Sequence, residues 1–153
     1  MSDLSANAKI RILGEGHTQK FLLDSGVAQT IYKGTPMMID QNVGQPLARL
    51  FNSSVTVVAA DIALGIAAEG AVVNLSDPET KSIEIYVWPT IIGFPTAVFA
   101  VADYGDQVFM TSSDTFIKVA SASGNLELGR LFKIEDGFMY IRLNTPFVCV
   151  NSA

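Results

Sequence analysis

Two side chains in this sequence could act as a nucleophile or a proton carrier near neutral pH, His17 and Cys149, and each is the only member of its type. A catalytic thiol needs an accessible, electropositive setting. Cys149 instead stands in the apolar run PFVCV, and His17 in the polar, glycine-rich GEGHTQ. These contexts favour a packed thiol over a Cys–His pair. One His and one Cys cannot build a zinc cage without carboxylates. Asp103, Asp106 and Asp114 lack the alternate spacing of a calcium loop and read as a solvated rim. Neither G-x-S-x-G nor S-x-x-K occurs, and in SASGN Ser123 has a single adjacent glycine. ILGEGHTQ supplies Gly14 and Gly16 after an apolar run, but Gln19 occupies the third glycine position of a dinucleotide fingerprint and no helix pattern follows. It reads as a turn. Glu69, Glu84, Glu127 and Glu135 have no special local context and read as solvated strand positions. The chemistry points away from an enzyme, with no cofactor and no metal.

What remains is a chain suited to contact rather than catalysis. Its 153 residues suit one domain, long enough to bury a core without staples. Hydrophobic residues make up 49% and charged ones 16%, a strand-rich composition that argues against disorder and leaves apolar surface for other subunits to cover. The net charge is −5 and the basic residues are dispersed, so direct nucleic-acid binding is not expected. The start has no signal-peptide layout, and the longest apolar stretch (55–68) contains Asp61 and is too short for a bilayer. Synthesis in a cytoplasm is expected, with no membrane partner.

The elements that would position any contact surface are strands. A pattern runs through the chain twice. GTPMMID (34–40), IALGIA (62–67) and IEIYVW (83–88) form the first pass; GDQVFMT (105–111), LELGRLF (126–132) and FMYIRLN (138–144) form the second. Glu135-Asp136-Gly137 between alternating runs predicts a hairpin. A second hairpin is expected across Ser25-Gly26, joining 21–24 to 27–32. Strands are expected at 36–40, 47–51, 54–58, 62–69, 83–88, 107–111 and 115–120, with a helical turn possible at 59–64 and Gly65 marking a close backbone approach. TAVFAVAD (96–103) is the best helix candidate, with Val98, Phe99 and Ala102 on one face. The expected fold is mainly β: a small antiparallel barrel-like, β-tulip-like domain at 21–153 with one or two short helices, behind an N-terminal arm at 1–20. Its halves would be pseudo-repeated, at about 34–88 and 105–144.

Two segments stand out as contact surfaces. Residues 1–8 read as a mobile arm, followed by the alternating Lys9, Ile10, Arg11, Ile12 and Leu13. That strand-capable run is either a frayed end or a strand that adds to a partner's sheet. WPTIIGFP (88–95) is apolar, aromatic and twice interrupted by proline. Either it is a loop at a subunit interface, through Trp88, Pro89, Ile91, Ile92, Phe94 and Pro95, or it folds back over the barrel mouth.

With these segments in place, the chain resembles tailed-phage capsid decoration (head-stabilising, or cement) proteins. GTPMMID, ADIALGIAAEGAVVN and SIEIYVW resemble the lambda-type head decoration protein. The second half, from GDQVFMT through GNLELGRLF to MYIRLN, resembles a related group of phage capsid proteins. The likeness covers about 34–144. It implies a small β-rich fold, no enzymatic activity, and assembly as a homotrimer on the outer face of an expanded icosahedral shell. The implied partner is the major capsid protein of a phage head, with location on the virion exterior; Lys9 to Leu13 are expected to pair with an edge of that capsid subunit or of a neighbouring copy. Other readings are a head-fibre base or tail module, a ligand-binding β-barrel built on Trp88, Tyr86 and Phe94, and a small trimeric hydrolase.

Overall fold

The computed structural model describes residues 3–39, 47–55, 57, 61–78, 81–96, 98–118 and 125–145. In chain order the strands are β1 (Arg11–Leu13), β2 (Thr18–Leu22), β3 (Gln29–Ile31), β4 (Pro36–Ile39), β5 (Ala48–Leu50), β6 (Ile62–Ala67) and β7 (Ala71–Val73). Then follow β8 (Ser82–Tyr86), β9 (Ile91–Phe94), β10 (Gln107–Met110), β11 (Phe116–Ile117), β12 (Leu126–Glu135) and β13 (Phe138–Leu143). They form a six-stranded sheet, β1-β9-β13-β12-β10-β11, a five-stranded sheet, β2-β8-β6-β4-β5, and a pair, β3-β7. Every ladder between these strands is antiparallel, and an isolated parallel bridge joins Leu23 to Ala48.

The fold is therefore mainly β. No closed barrel is found among the described residues: β1 and β11 end the six-stranded sheet, and in the five-stranded one a single parallel bridge, Leu23 to Ala48, links the end of β2 to β5. One core cluster lies between the sheets: Met38, Ala63 and Ile66 of the five-stranded sheet meet Ile92, Val108, Leu128, Leu131 and Ile141 of the six-stranded one. A second cluster joins Met37, Leu64, Ala67, Ile83 and Ile85 to Ile31 and Val73 of the small pair. The five-stranded sheet thus buries both faces. That is why PMMI and IALGIA run apolar without alternation. In β8, by contrast, Ile83 and Ile85 are buried while Ser82, Glu84 and Tyr86 are half-buried.

The two sheets share more than class. Order β2-β8-β6-β4-β5 matches β9-β13-β12-β10-β11 strand for strand, with β1 added outside β9. Each carries the same bulge. Met37 and Met38 pair with Gly65 and Ala63, leaving Leu64 over; Val108 and Phe109 pair with Gly129 and Glu127, leaving Leu128 over. A Cβ on Gly65 would lie 1.9 Å from the Tyr86 carbonyl oxygen, and one on Gly129 2.0 Å from that of Arg142. Gly34 N–H donates to Ala67 O and Ala67 N–H to Thr35 O; Gly105 N–H donates to Leu131 O and Leu131 N–H to Asp106 O. Val87 N–H reaches His17 O as Leu143 N–H reaches Thr90 O.

Several sequence expectations change. Residues 96–103 form no α-helix among the described positions; only Val101–Asp103 makes a 3-10 turn. Eight residues are too few to hold a helix alone, and only Phe99 of the expected apolar face is buried. The first hairpin is absent: β2 pairs with β8 and β3 with β7. The turn between them changes sheets. Asp24 Oδ1 accepts the Gly26 N–H, Gln29 Nε2 donates to Asp24 O, and Gln29 Oε1 accepts the Leu50 N–H. Ile62 to Leu64, expected as part of a helical turn, begin β6 instead. Two strands, β1 (Arg11–Leu13) and β2 (Thr18–Leu22), begin within the stretch 1–20. The strands expected at 54–58 and 115–120 lie partly outside the described residues, as does the whole PFVCV run with Cys149.

Candidate interaction surface

The N-terminal segment is not loose. Asp3 accepts hydrogen bonds from Ser113 N–H at 3.0 Å and Ser53 N–H at 2.9 Å, and from the Ser53 hydroxyl. Leu4 N–H donates to Ser113 Oγ, Lys33 N–H to Asn7 Oδ1, and Ala8 N–H to Lys33 O. Burial by itself raises the Asp3 pKa, but the bonds from Ser113 and Ser53 outweigh it and hold the carboxyl below its ordinary value. Gly34 lets the segment lie close: at φ 97° it has no side chain where a Cβ would stand 2.6 Å from the Ala8 Cβ. The arm then becomes β1, with Arg11, Ile12 and Leu13 opposite Gly93, Ile92 and Ile91. Ile10 and Ile12 pack on the core, and the Arg11 guanidinium lies 4.0 Å from the Phe138 ring centroid. Lys9 lines an apolar cavity of about 270 Å³ between arm and body, with Leu4, Ala8, Phe94 and Pro95.

The stretch 88–95 is not a loop. Ile91–Phe94 is β9, held between β1 and β13. Ile92 and Phe94 are buried in this chain's own core, so they cannot serve as interface residues without unfolding it; Ile91 is half-buried. Trp88, Pro89 and Pro95 are exposed, and these alone are open for a neighbour to touch fully. Phe94 is buried and packs against Phe116 in a tilted arrangement with ring centroids 4.8 Å apart, which removes it from the ligand platform suggested with Trp88 and Tyr86.

The edges at β1 and β2, and one sheet face, are open among the described residues. The outer sides of β1 and β2 have no paired strand among the described residues, and Thr18, Gln19, Lys20 and Leu22 are exposed. The outer face of the six-stranded sheet presents Arg130, Phe132 and Arg142, with Trp88 and Tyr104 nearby at the surface. Arg130 and Arg142 are directly opposed across the β12–β13 ladder. They line a hollow of about 240 Å³ with Trp88, Leu143, Asn144 and Thr145. The sequence does not show this pairing. Counting outward from Asp136-Gly137 sets Arg130 across from Leu143; a register shift between Leu131 and Lys133 slips it to Arg142.

His17 is held through its main chain, and Cys149 lies outside the described residues. Thr90 Oγ1 accepts from His17 N–H at 2.8 Å and donates to His17 O at 3.1 Å, so the contact is to the His17 main chain. Acidic side chains act structurally. Asp103 is held below the usual carboxylate range by the Ala100 N–H and then by Lys118 at 3.0 Å, and Asp77 likewise by the Asn74 N–H and then Lys81. Among the described residues no group of three or more His, Cys, Asp or Glu could hold a metal ion. No helix among them is long and apolar enough to cross a membrane.

Comparison with known proteins leaves the geometry to speak alone. No family model, no curated protein and no solved structure matches this chain.

Proposed function

We propose that this protein is a non-catalytic structural component of a tailed-phage virion. It binds the outer face of an expanded capsid as a homotrimer and bridges neighbouring capsid subunits. The observation that carries this reading is the pair of open edge strands, β1 and β2, joined by four residues and ending two separate sheets. An open edge offers main-chain N–H and C=O groups to an extended segment of another protein, with alternate side chains setting register. The resemblance of 34–144 to decoration proteins supplies the setting. Three copies per assembly would multiply weak edge contacts through effective concentration.

The test is co-sedimentation and electron microscopy with empty expanded heads of the phage that encodes this chain. The full-length protein should coat them at regular positions, and a variant lacking residues 1–13 should remain folded and fail to attach. Normal coating by the truncated protein would remove β1 from the mechanism; absence of any coating by the full-length protein would overturn the reading. Sedimentation velocity of the free and released protein checks the trimer.

A further inference from the structure

We propose that Arg130, Arg142 and Trp88 form a binding site for carboxylate side chains on an extended acidic segment of a partner protein. This goes beyond the virion reading and stands without it, because it concerns what the hollow binds and not where the protein sits.

Three observations carry it. First, Arg130 and Arg142 are directly opposed on an exposed face. Like charges placed so oppose folding, and a chain with more acidic than basic residues had many ways to pair them. Yet among the described residues neither guanidinium has an ion pair. Arg130 Nη1 donates to Gly105 O at 2.9 Å, and the Arg142 guanidinium lies 5.3 Å from the Phe132 ring centroid. A guanidinium has five N–H donors, so most of their donor capacity is unused among the described residues.

Second, the two cations do not stand on a flat surface. With Trp88, Leu143, Asn144 and Thr145 they line a hollow of about 240 Å³, large enough for one or two side chains. It combines an aromatic wall, an apolar floor residue and convergent polar groups, the usual makeup of a recognition pocket.

Third, the aromatic residues are left open. Trp88 is 49% exposed and Phe132 40% exposed. Tryptophan and arginine together are the side chains most enriched where a few contacts carry an interface. Charge chooses the occupant. Two adjacent guanidiniums match carboxylates in bidentate geometry. A net charge of −5 disfavours a polyphosphate backbone, which needs a broad basic surface and not a single pair.

Trp88 is the chain's only tryptophan, so its fluorescence reports on this hollow directly. The probe is an acetylated, amidated hexapeptide of alternating Glu and Thr, titrated at low salt, with its Gln–Thr counterpart as control. The expected result is a saturable change in emission with the Glu peptide and none with the Gln peptide. R130Q and R142Q should each weaken the apparent affinity by about fivefold, the upper range for an exposed charge pair. R130Q/R142Q should abolish saturation, and R142K should bind more weakly than wild type through loss of the bidentate fork. Far-ultraviolet dichroism and thermal unfolding check that each variant is folded; R142K serves if the double variant is not. The proposal is overturned by no saturable change in the wild type, by an equal response to the Gln peptide, or by binding that survives in the folded variants. Full competition by inorganic phosphate at the peptide's own concentration would mark a general anion site and also overturn it. So would an oligomer that R130Q/R142Q dissociates, which would make a second copy the occupant.

Discussion

At the scale of single residues, two glycines and one aspartate carry most of the argument. Gly65 and Gly129 sit where a bulge presses β6 and β12 against the carbonyls of Tyr86 and Arg142. Gly129→Ala and Gly65→Ala should each lower stability by roughly 2–3 kcal/mol, the cost of forcing atoms into a filled space. Gly105→Ala should cost only about 1 kcal/mol, because its φ of 89° is strained for alanine but its Cβ direction is open. Urea unfolding midpoints would rank them; equal losses would show that the carbonyl contact is not tight. Asp3 sets a pH limit on the arm. Its folded pKa lies below the unfolded value, so its contribution is present above about pH 4 and is lost as pH falls through the folded pKa. Amide exchange at Ser53 and Ser113 should therefore lose protection on acidification, and Asp3→Asn should remove that pH dependence.

At the scale of elements, β1 acts both as cover and as edge. It shields β9, whose Ile92 is wholly buried, and it places Ile10 and Ile12 on the core. Removing residues 1–13 should cost roughly 2–4 kcal/mol through loss of two partly buried isoleucines, and thermal unfolding would measure it. No measurable loss would mean that the arm adds little to the fold. The legible elements were those with strong local signals. The Asp136-Gly137 turn has φ values of 53° and 78°, as a two-residue hairpin needs, and it joins β12 to β13. Alternation marked β8 and a close approach marked Gly65. Illegible elements depended on distant partners. Phe21 pairs opposite Ile83, not across Ser25-Gly26, and nothing within residues 21–32 encodes that choice. Arg11 to Leu13 have a strand pattern, but the strand they join lies some eighty residues later.

At the scale of the molecule, two sheets of matching topology share one core while one of them also buries its second face. The shared cluster draws Met38, Phe51 and Ile66 from the first half and Ile92, Leu131 and Leu143 from the second. Neither half can bury that surface alone. Residues 89–153 expressed separately should be unfolded or aggregated, with poor amide dispersion by NMR; a well-dispersed spectrum would show an independent domain. The candidate surface also belongs to this scale. Trp88 and the β1 segment stood out in the sequence by composition, yet Ile92 and Phe94 beside them belong to the core. Arg130 and Arg142 carried no signal at all, because their pairing depends on a bulge in β12.

The sequence by itself determined the β class, the positions of the main strands, the late hairpin and the close approach at Gly65. These follow from alternation, turn chemistry and the missing Cβ, which act over a few residues. Tertiary structure alone decided which strands pair, that Ile92 and Phe94 enter the core, and that two arginines face each other beside a tryptophan. Those outcomes depend on burying the same apolar surface in the most complete way, and many pairings of such short apolar strands satisfy the local rules equally well.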